Sequence, residues 1–373
     1  MKEQNAIEEV RDGLTHIWVH RKGQEAYAGI YDAIQALYKD MKPIIFKKFK
    51  EGAGWKFFVN LPPGLAYSEF KKKEQIFADA VGGTVQIDKN GKLVTMIVST
   101  SEIQKSYNYS FNPNNYDGFL PIHFGFSSIG EIIRDMTAMP NLIIAGHPGA
   151  GKSNFIHGLI MSLLLNARYS SQIIVFDFKR LDYSYLMDHV LLVTEIDFAR
   201  IVFQAINNEL NKRLDILQKT GVVKMQDYLK QGGEMPFLVV VVDELAEMQD
   251  EECQSSLNRV LRLGRAAGIC CVCATQRPSS TMFKAFGDSK AMFSGTMCFH
   301  VRDEVNSRML LDSDRAALIT NSPGRAIYQW DQELEVQTMN LPIKKAIKLL
   351  KDIKPLRGDF SEGIQSQKRL SPR

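Results

Sequence analysis

Apolar positions recur at helical spacing twice near the start of the chain, around Ile7, Val10, Leu14 and Trp18 and again around Tyr27, Ile30, Ile34 and Leu37. This spacing predicts two short amphipathic helices. The pattern then shifts. Trp55-Lys56-Phe57-Phe58-Val59 reads as a strand, Pro62-Pro63-Gly64 as a break and Tyr67 to Val81 as a helix. Thr84 to Ile87 and Leu93 to Val98 follow as two strands around an Asn90-Gly91 turn, a strong short-range hairpin signal. Ser106 to Asp117, rich in Asn, Tyr and Ser, predicts a linker. Beyond it, strand-like and helix-like stretches alternate, the pattern of an α/β domain whose mainly parallel sheet carries helices on both faces. The expected organisation is a helical segment over 1–40, a small α+β domain over 41–110, an α/β domain over 119–342, and a basic helix with a disordered tail over 343–373.

Composition narrows the class. With 45% hydrophobic and 24% charged residues in 373, the chain reads as an ordinary globular protein large enough for more than one domain. Its longest apolar runs, such as Phe237 to Val242, are too short to cross a bilayer, and Met1 to Val10 is polar and acidic rather than signal-like, so a cytoplasmic protein without an integral membrane segment is expected. The net charge is +4, but residues 344–373 hold nine Lys/Arg against three Asp/Glu, which leaves −2 for the rest. Affinity for a polyanion therefore cannot come from a uniformly basic body. Five cysteines include the run Cys270, Cys271 and Cys273, which reads as a buried reduced core strand, since zinc would want a second ligand pair at set spacing.

The candidate chemistry sits in the α/β part. Leu142-Ile143-Ile144-Ala145 is a short apolar strand, followed by Gly146-His147-Pro148-Gly149-Ala150-Gly151-Lys152-Ser153 and, from Asn154 on, by a helix through Phe155, Leu159, Ile160 and Leu163. Gly-x4-Gly-Lys-Ser between strand and helix is a P-loop: glycines let backbone N–H groups converge on phosphate oxygens at a helix N-terminus. Lys152 is expected to neutralise the β/γ-phosphates of ATP and Ser153 to offer its hydroxyl to Mg²⁺. Downstream, Phe237 to Val242 reads as a fully buried central strand ending in Asp243-Glu244, with Asp243 holding Mg²⁺ and Glu244 polarising the attacking water; an acidic helix cap is the alternative. A third strand, Ile269 to Ala274, ends in Thr275-Gln276-Arg277-Pro278, where Gln276 could sense the γ-phosphate or simply line a turn.

With these residues in place, the chain resembles the FtsK/SpoIIIE family of DNA-pumping motors. The resemblance rests on Met139-Pro140-Asn141-Leu142-Ile143-Ile144-Ala145-Gly146, on Phe176-Asp177-Phe178-Lys179, on Asp243-Glu244, and on Gly264-Arg265-Ala266-Ala267-Gly268-Ile269 leading to Ala274-Thr275-Gln276-Arg277-Pro278. It continues through Val305-Asn306-Ser307-Arg308-Met309-Leu310-Leu311-Asp312 and Ser322-Pro323-Gly324. It implies a RecA-like P-loop NTPase motor domain, an ATPase that translocates DNA as a homohexameric ring. The membrane helices and winged-helix domain of the large family members are not read here. The preceding segment, with Gly54-Trp55 and Leu61-Pro62-Pro63-Gly64-Leu65, resembles the small domain before the motor in FtsK-like proteins of conjugative elements and plasmids. This suggests a soluble motor of a mobile element, plasmid or phage, with a membrane or mobile-element transfer complex as a further expected partner. Motors of type VII protein secretion share these motifs and form the alternative.

The resemblance also implies particular roles. Arg213, in Asn211-Lys212-Arg213-Leu214, is the first candidate for an arginine finger reaching a neighbour's ATP, and Arg308 the second, each with a plain surface arginine as its alternative. Pore-facing loops would grip the DNA backbone without regard to sequence. Ser279, Ser280, Thr281, Lys284 and Lys290 are the first candidates, because they continue the strand that ends near Gln276; an exposed polar loop is the alternative. Arg259, Arg262 and Arg265 form a second stripe at three-residue spacing. The basic amphipathic helix around Ile343, Ile347, Leu350 and Ile353 either touches DNA, a protein or a membrane, or packs with its lysines in water.

Overall fold

The structure is a computed structural model, and it describes residues 25–39, 42–51, 54–90, 93–180, 182–279, 282–283, 289–330 and 333–355. The expected helix around Ile7 to Trp18, the tip of the Asn90-Gly91 turn, the tail after Pro355, and Ser280, Thr281 and Lys284 lie outside the described residues. The chain divides into two compact units, residues up to Ile103 with Phe126–Glu131, and Gln104–Gly125 with the chain from Ile132 onward.

The first unit is a four-stranded antiparallel sheet of β1 (Ile44–Glu51), β2 (Gly54–Asn60), β3 (Thr84–Asn90) and β4 (Leu93–Ser99) in the order β1-β2-β4-β3. Helix α1 (25–37) joins its core through Ala26, Ile30, Ala33 and Ile34, close to the expected stripe. Phe57, Val59, Val85, Ile87, Val94, Met96 and Val98 alternate along the strands to form the sheet's side of that core. Two features differ from expectation. Strand β1 is missing from the sequence reading, because a register shift between Ile45 and Lys47 spoils its alternation and lysines crowd it. The expected helix over Tyr67 to Val81 is two, α2 (Tyr67–Lys71) and α3 (Glu74–Val81). Phe70 and Phe77, one on each helix, are both fully buried, with ring centroids 5.3 Å apart.

The second unit carries the expected α/β pattern. Six strands run parallel in the order β10-β9-β11-β12-β8-β13: β8 (Asn141–Ala145), β9 (Ser171–Phe176), β10 (Leu191–Val193), β11 (Phe237–Val242), β12 (Ile269–Thr275) and β13 (Gly295–Phe299). Beyond β13 the sheet continues through β14 (Arg325–Gln329) and β15 (Glu333–Gln337), both antiparallel, and then β6 (Pro121–Ser127) and β7 (Gly130–Asp135). Its helices include α4 (Lys152–Leu164), α5 (Ile196–Thr220), α6 (Met225–Lys230), α7 (Glu251–Leu263), α8 (Glu304–Leu311), α9 (Arg315–Leu318) and α10 (Ile343–Leu350). Every residue of β11 is buried, as a central strand with no polar face requires. All five cysteines are free and buried, and among the described residues no cluster of His, Cys, Asp and Glu could hold a metal.

Ser106–Asp117 is not a free linker. It contains β5 (Tyr107–Asn108), which pairs in parallel with β16 (Met339–Asn340), and it buries Tyr109 and Phe111. Helix α10 packs through Ala346 and Leu350, while Ile343 and Ile347 stay about half exposed.

Candidate nucleotide site

Parallel strands end together, so register decides which loops meet. Val242 lies beside Cys273, and Thr275 beside Ala145, which brings the carboxyl ends of β11, β12 and β8 to one edge. Crevices at that edge are where open α/β sheets bind ligands. The loop after β8 curls through positive φ at Gly146 (151°), Gly149 (80°) and Gly151 (112°). Two of these are also closed to side chains: a Cβ on Gly146 would lie 2.6 Å from Phe299 Cβ, and one on Gly151 would lie 2.6 Å from the Gly324 nitrogen. The loop is pinned from its far side, since Gly324 donates its N–H to the Ala150 carbonyl (2.8 Å) and His147 to the His300 carbonyl (3.1 Å).

Lys152, the first residue of α4, is buried and donates its ammonium to the Gly146 and His147 carbonyls. Burial pulls its pKa below the ordinary lysine value, against Glu244 and Asp243, which hold it up. The lysine and both acids therefore share one electrostatic site. Glu244 is itself buried and held from two sides. The Gln276 backbone N–H donates to both of its oxygens (3.2 and 3.1 Å), and the Lys179 ammonium lies 3.4 Å from Oε2. Asp243 accepts a 2.7 Å hydrogen bond from the hydroxyl of Tyr183, a side chain with no exposed surface. Burial raises the Asp243 carboxyl above the usual aspartate range; the tyrosine draws it back, and Asp182 and Asp177 push it up again.

Several expected residues have other engagements. His147 shares a hydrogen bond with Asn321 Oδ1 (3.0 Å), Pro148 lends its carbonyl to the same imidazole, and Ser153 is half-buried in the first turn of α4. Asn154 clamps β16, donating to the Met339 carbonyl (2.8 Å) and accepting from the Leu341 N–H (2.9 Å). It also lines a cavity of about 320 Å³ beside the P-loop, with Gly151, Pro323, Gly324, Gln337 and Thr338. The sequence reading missed Tyr183 and the contact of Lys179 with Glu244. Lys179 stood in a quoted motif, whereas the Tyr183 position carries no spacing signal linking it to Asp243, 60 residues later.

Residues 112–280 match the FtsK/SpoIIIE family profile. This segment belongs to the FtsK/SpoIIIE family. The chain is 32% identical over 284 residues to a DNA translocase FtsK of Chlorobaculum tepidum, covering 71% of this chain and 34% of that protein. It is 29% identical over 275 residues to the DNA translocase SpoIIIE of Bacillus subtilis, covering 68% and 34%. The chain thus spans about a third of the length of these relatives. Among solved structures, the conjugation coupling protein TcpA of pCW3 with ATPγS superposes with a TM-score of 0.63 at 20% identity, over 89% of this chain and 99% of that one. The cytoplasmic domain of the type VII secretion ATPase EccC of Thermomonospora curvata gives 0.56 at 18%, over 69% and 34%. The second unit has the RecA-like P-loop fold these likenesses share.

Within and beside the FtsK/SpoIIIE segment, the expected finger and DNA residues fare unevenly. Arg213 is a correction. It is 1% exposed, its Nε donates to Glu209 (2.8 Å) and its Nη1 to the Ala267 carbonyl (3.1 Å), so its guanidinium holds α5 to the turn before β12 rather than facing a neighbour. Arg308 is exposed on α8, paired with Glu304 (2.8 Å) and Asp314 (3.4 Å). Arg259 bonds Asn207 (2.8 Å) and Asn211 (2.6 Å) on α5, and Arg265 lies beyond the end of α7, so the three arginines do not form one helical stripe. The Ser279 hydroxyl accepts from the Met282 N–H (3.0 Å), and Lys290 pairs with Asp312 (2.6 Å).

Proposed function

We propose that the chain is an ATP-hydrolysing DNA translocase that works as a homohexameric ring in the cytoplasm. The single observation that carries the chemistry is the convergence of Lys152, Asp243 and Glu244 at one strand edge. The DNA assignment is supported by relatives named DNA translocases.

The P-loop amides and Lys152 would hold the triphosphate, with the 320 Å³ cavity beside Gly151 taking the nucleoside. Ser153 and Asp243 supply the hard oxygen donors that Mg²⁺ accepts alongside water and phosphate, and the metal would spread the charge of the transferring phosphoryl group. Glu244, kept near Lys152 by the Gln276 N–H, would orient and deprotonate water. Of the two expected finger candidates, the exposed Arg308 is the one able to reach another protomer, and Lys290 is one side chain able to reach a track once freed from Asp312. Among the described residues no helix is long and apolar enough to cross a membrane. Conjugative transfer is the process the TcpA likeness favours.

ATP turnover measured without DNA, with single-stranded DNA and with duplex DNA tests this reading. Stimulation by DNA is expected, with Lys152→Ala and Glu244→Gln each lowering turnover at least about 100-fold. Equal turnover in all three conditions would overturn the DNA assignment in favour of a protein substrate.

A further inference from the structure

The sheet of the first unit has two unlike faces. One is the core under α1, α2 and α3. On the other, register places Lys47, Phe58, Thr95 and Asp88 in a single row across β1, β2, β4 and β3. The register shift between Ile45 and Lys47 inserts Phe46 as the extra residue of a bulge, a device that re-aims a side chain. Its ring lies 6.0 Å from that of Phe58 and stays 57% exposed. Such exposure of a phenylalanine on an edge strand leaves apolar surface in water.

Residues 42–60 contain five lysines and one glutamate; by register Lys47 and Lys56 lie on the face of Phe58, whereas Lys48 and Lys50 lie on the core side, Lys48 over the ring of Tyr27 (4.5 Å). Lys47 is exposed beside the two rings, and the carboxylate of Asp88 in the same row is occupied by Lys71 (3.6 Å) and the Gln86 amide (2.8 Å). Two aromatic rings on an antiparallel sheet, with Lys47 and Lys56 on the same face by register, are suited to bases stacked on the rings and phosphates held by the ammonium groups. Rings fixed on a sheet reach base faces only where bases are unstacked from a partner strand, which selects single strands over duplex. Ile44 and Leu93, exposed on the same face, add apolar surface to it, and a membrane is therefore the competing occupant that the vesicle measurement below decides.

We propose that this face, centred on Phe46, Phe58 and Lys47, binds single-stranded nucleic acid. The site uses none of the residues of the nucleotide site and does not depend on the translocase reading.

The full-length protein, ultraviolet-crosslinked to a short oligo(dT) and digested, should yield crosslinked peptides from residues 42–60. Phe46→Leu, which keeps the residue apolar and removes the ring, should weaken oligo(dT) binding about tenfold with thermal unfolding and DNA-free ATP turnover unchanged. Lys47→Gln should weaken it less and flatten its salt dependence. Crosslinks confined to residues 104–355, or unchanged affinity in Phe46→Leu, would overturn the proposal. So would a Phe46→Leu variant that loses binding to phosphatidylglycerol vesicles while keeping oligo(dT), which would assign the face to a membrane. Crosslinks at 42–60 with ATP turnover indifferent to DNA would leave this site standing and defeat the translocase.

Discussion

Tyr183 and Arg213 show how a buried side chain is engaged by its surroundings rather than by its motif. Tyr183 donates to the carboxylate of Asp243, and that bond holds the acid's pKa down against burial. Removing the hydroxyl in Tyr183→Phe raises the Asp243 pKa further, so the acid limb of the ATP turnover profile should move to higher pH, with a stability loss of only about 1 kcal/mol. An unmoved acid limb would show that Asp243 does not report through Tyr183. For Arg213 the prediction is reversed. Arg213→Ala strips a buried cation from Glu209 and Ala267 and should cost about 3 to 5 kcal/mol in unfolding experiments. An arginine finger would instead lose turnover at constant stability. Lys152, Asp243 and Glu244 were legible in the sequence as candidates because each is tied to a strand end whose chemistry is local. It misplaced Arg213 because the partners that bury it come from the same helix and from a turn some 50 residues later, and neither leaves a periodic trace.

Helix α4 couples the P-loop to the core, and it carries a titratable load. His157, buried against the rings of Tyr183 (4.9 Å) and Tyr185 (5.4 Å) and hydrogen-bonded to the Tyr185 hydroxyl (2.8 Å), has its pKa pulled down to about 4 by burial, against Asp182, which holds it up. The unfolded chain, with an ordinary histidine near 6.5, binds the proton first. Stability from this residue is therefore complete above about pH 6.5 and is lost progressively as pH falls toward 4, on the order of 3 kcal/mol. Thermal melts across that range should fall with acidity, and His157→Asn should flatten the slope; parallel slopes would remove the assignment. At this scale the strands with clean patterns, such as β4 and β11, were legible in the sequence. Strand β1 was not, because its bulge and lysines hide the period of two, and neither was the break between α2 and α3, whose apolar stripe runs on across it from Phe70 to Phe77. The strap through Tyr109 was hidden by its polar neighbours.

At the scale of the whole molecule, the order of parallel strands does the assembling. Only because β12 sits between β11 and β8 do Glu244, the Gln276 amide and the P-loop come within reach of one another. The alternation of strands and helices announced this parallel core, whereas the antiparallel extension through β14 and β15 depends on pairings that alternation does not encode. One nucleotide is shared by the loop and the acids in the proposed function. A crystal or cryo-EM structure of the full chain with Mg²⁺ and a non-hydrolysable ATP analogue is the most direct test. The β- and γ-phosphates are predicted between Lys152 and the Asp243-Glu244 pair, with the base in the cavity lined by Gly324 and Thr338. Triphosphate density bound away from the loop, or Asp243 and Glu244 turned from it, would contradict the account.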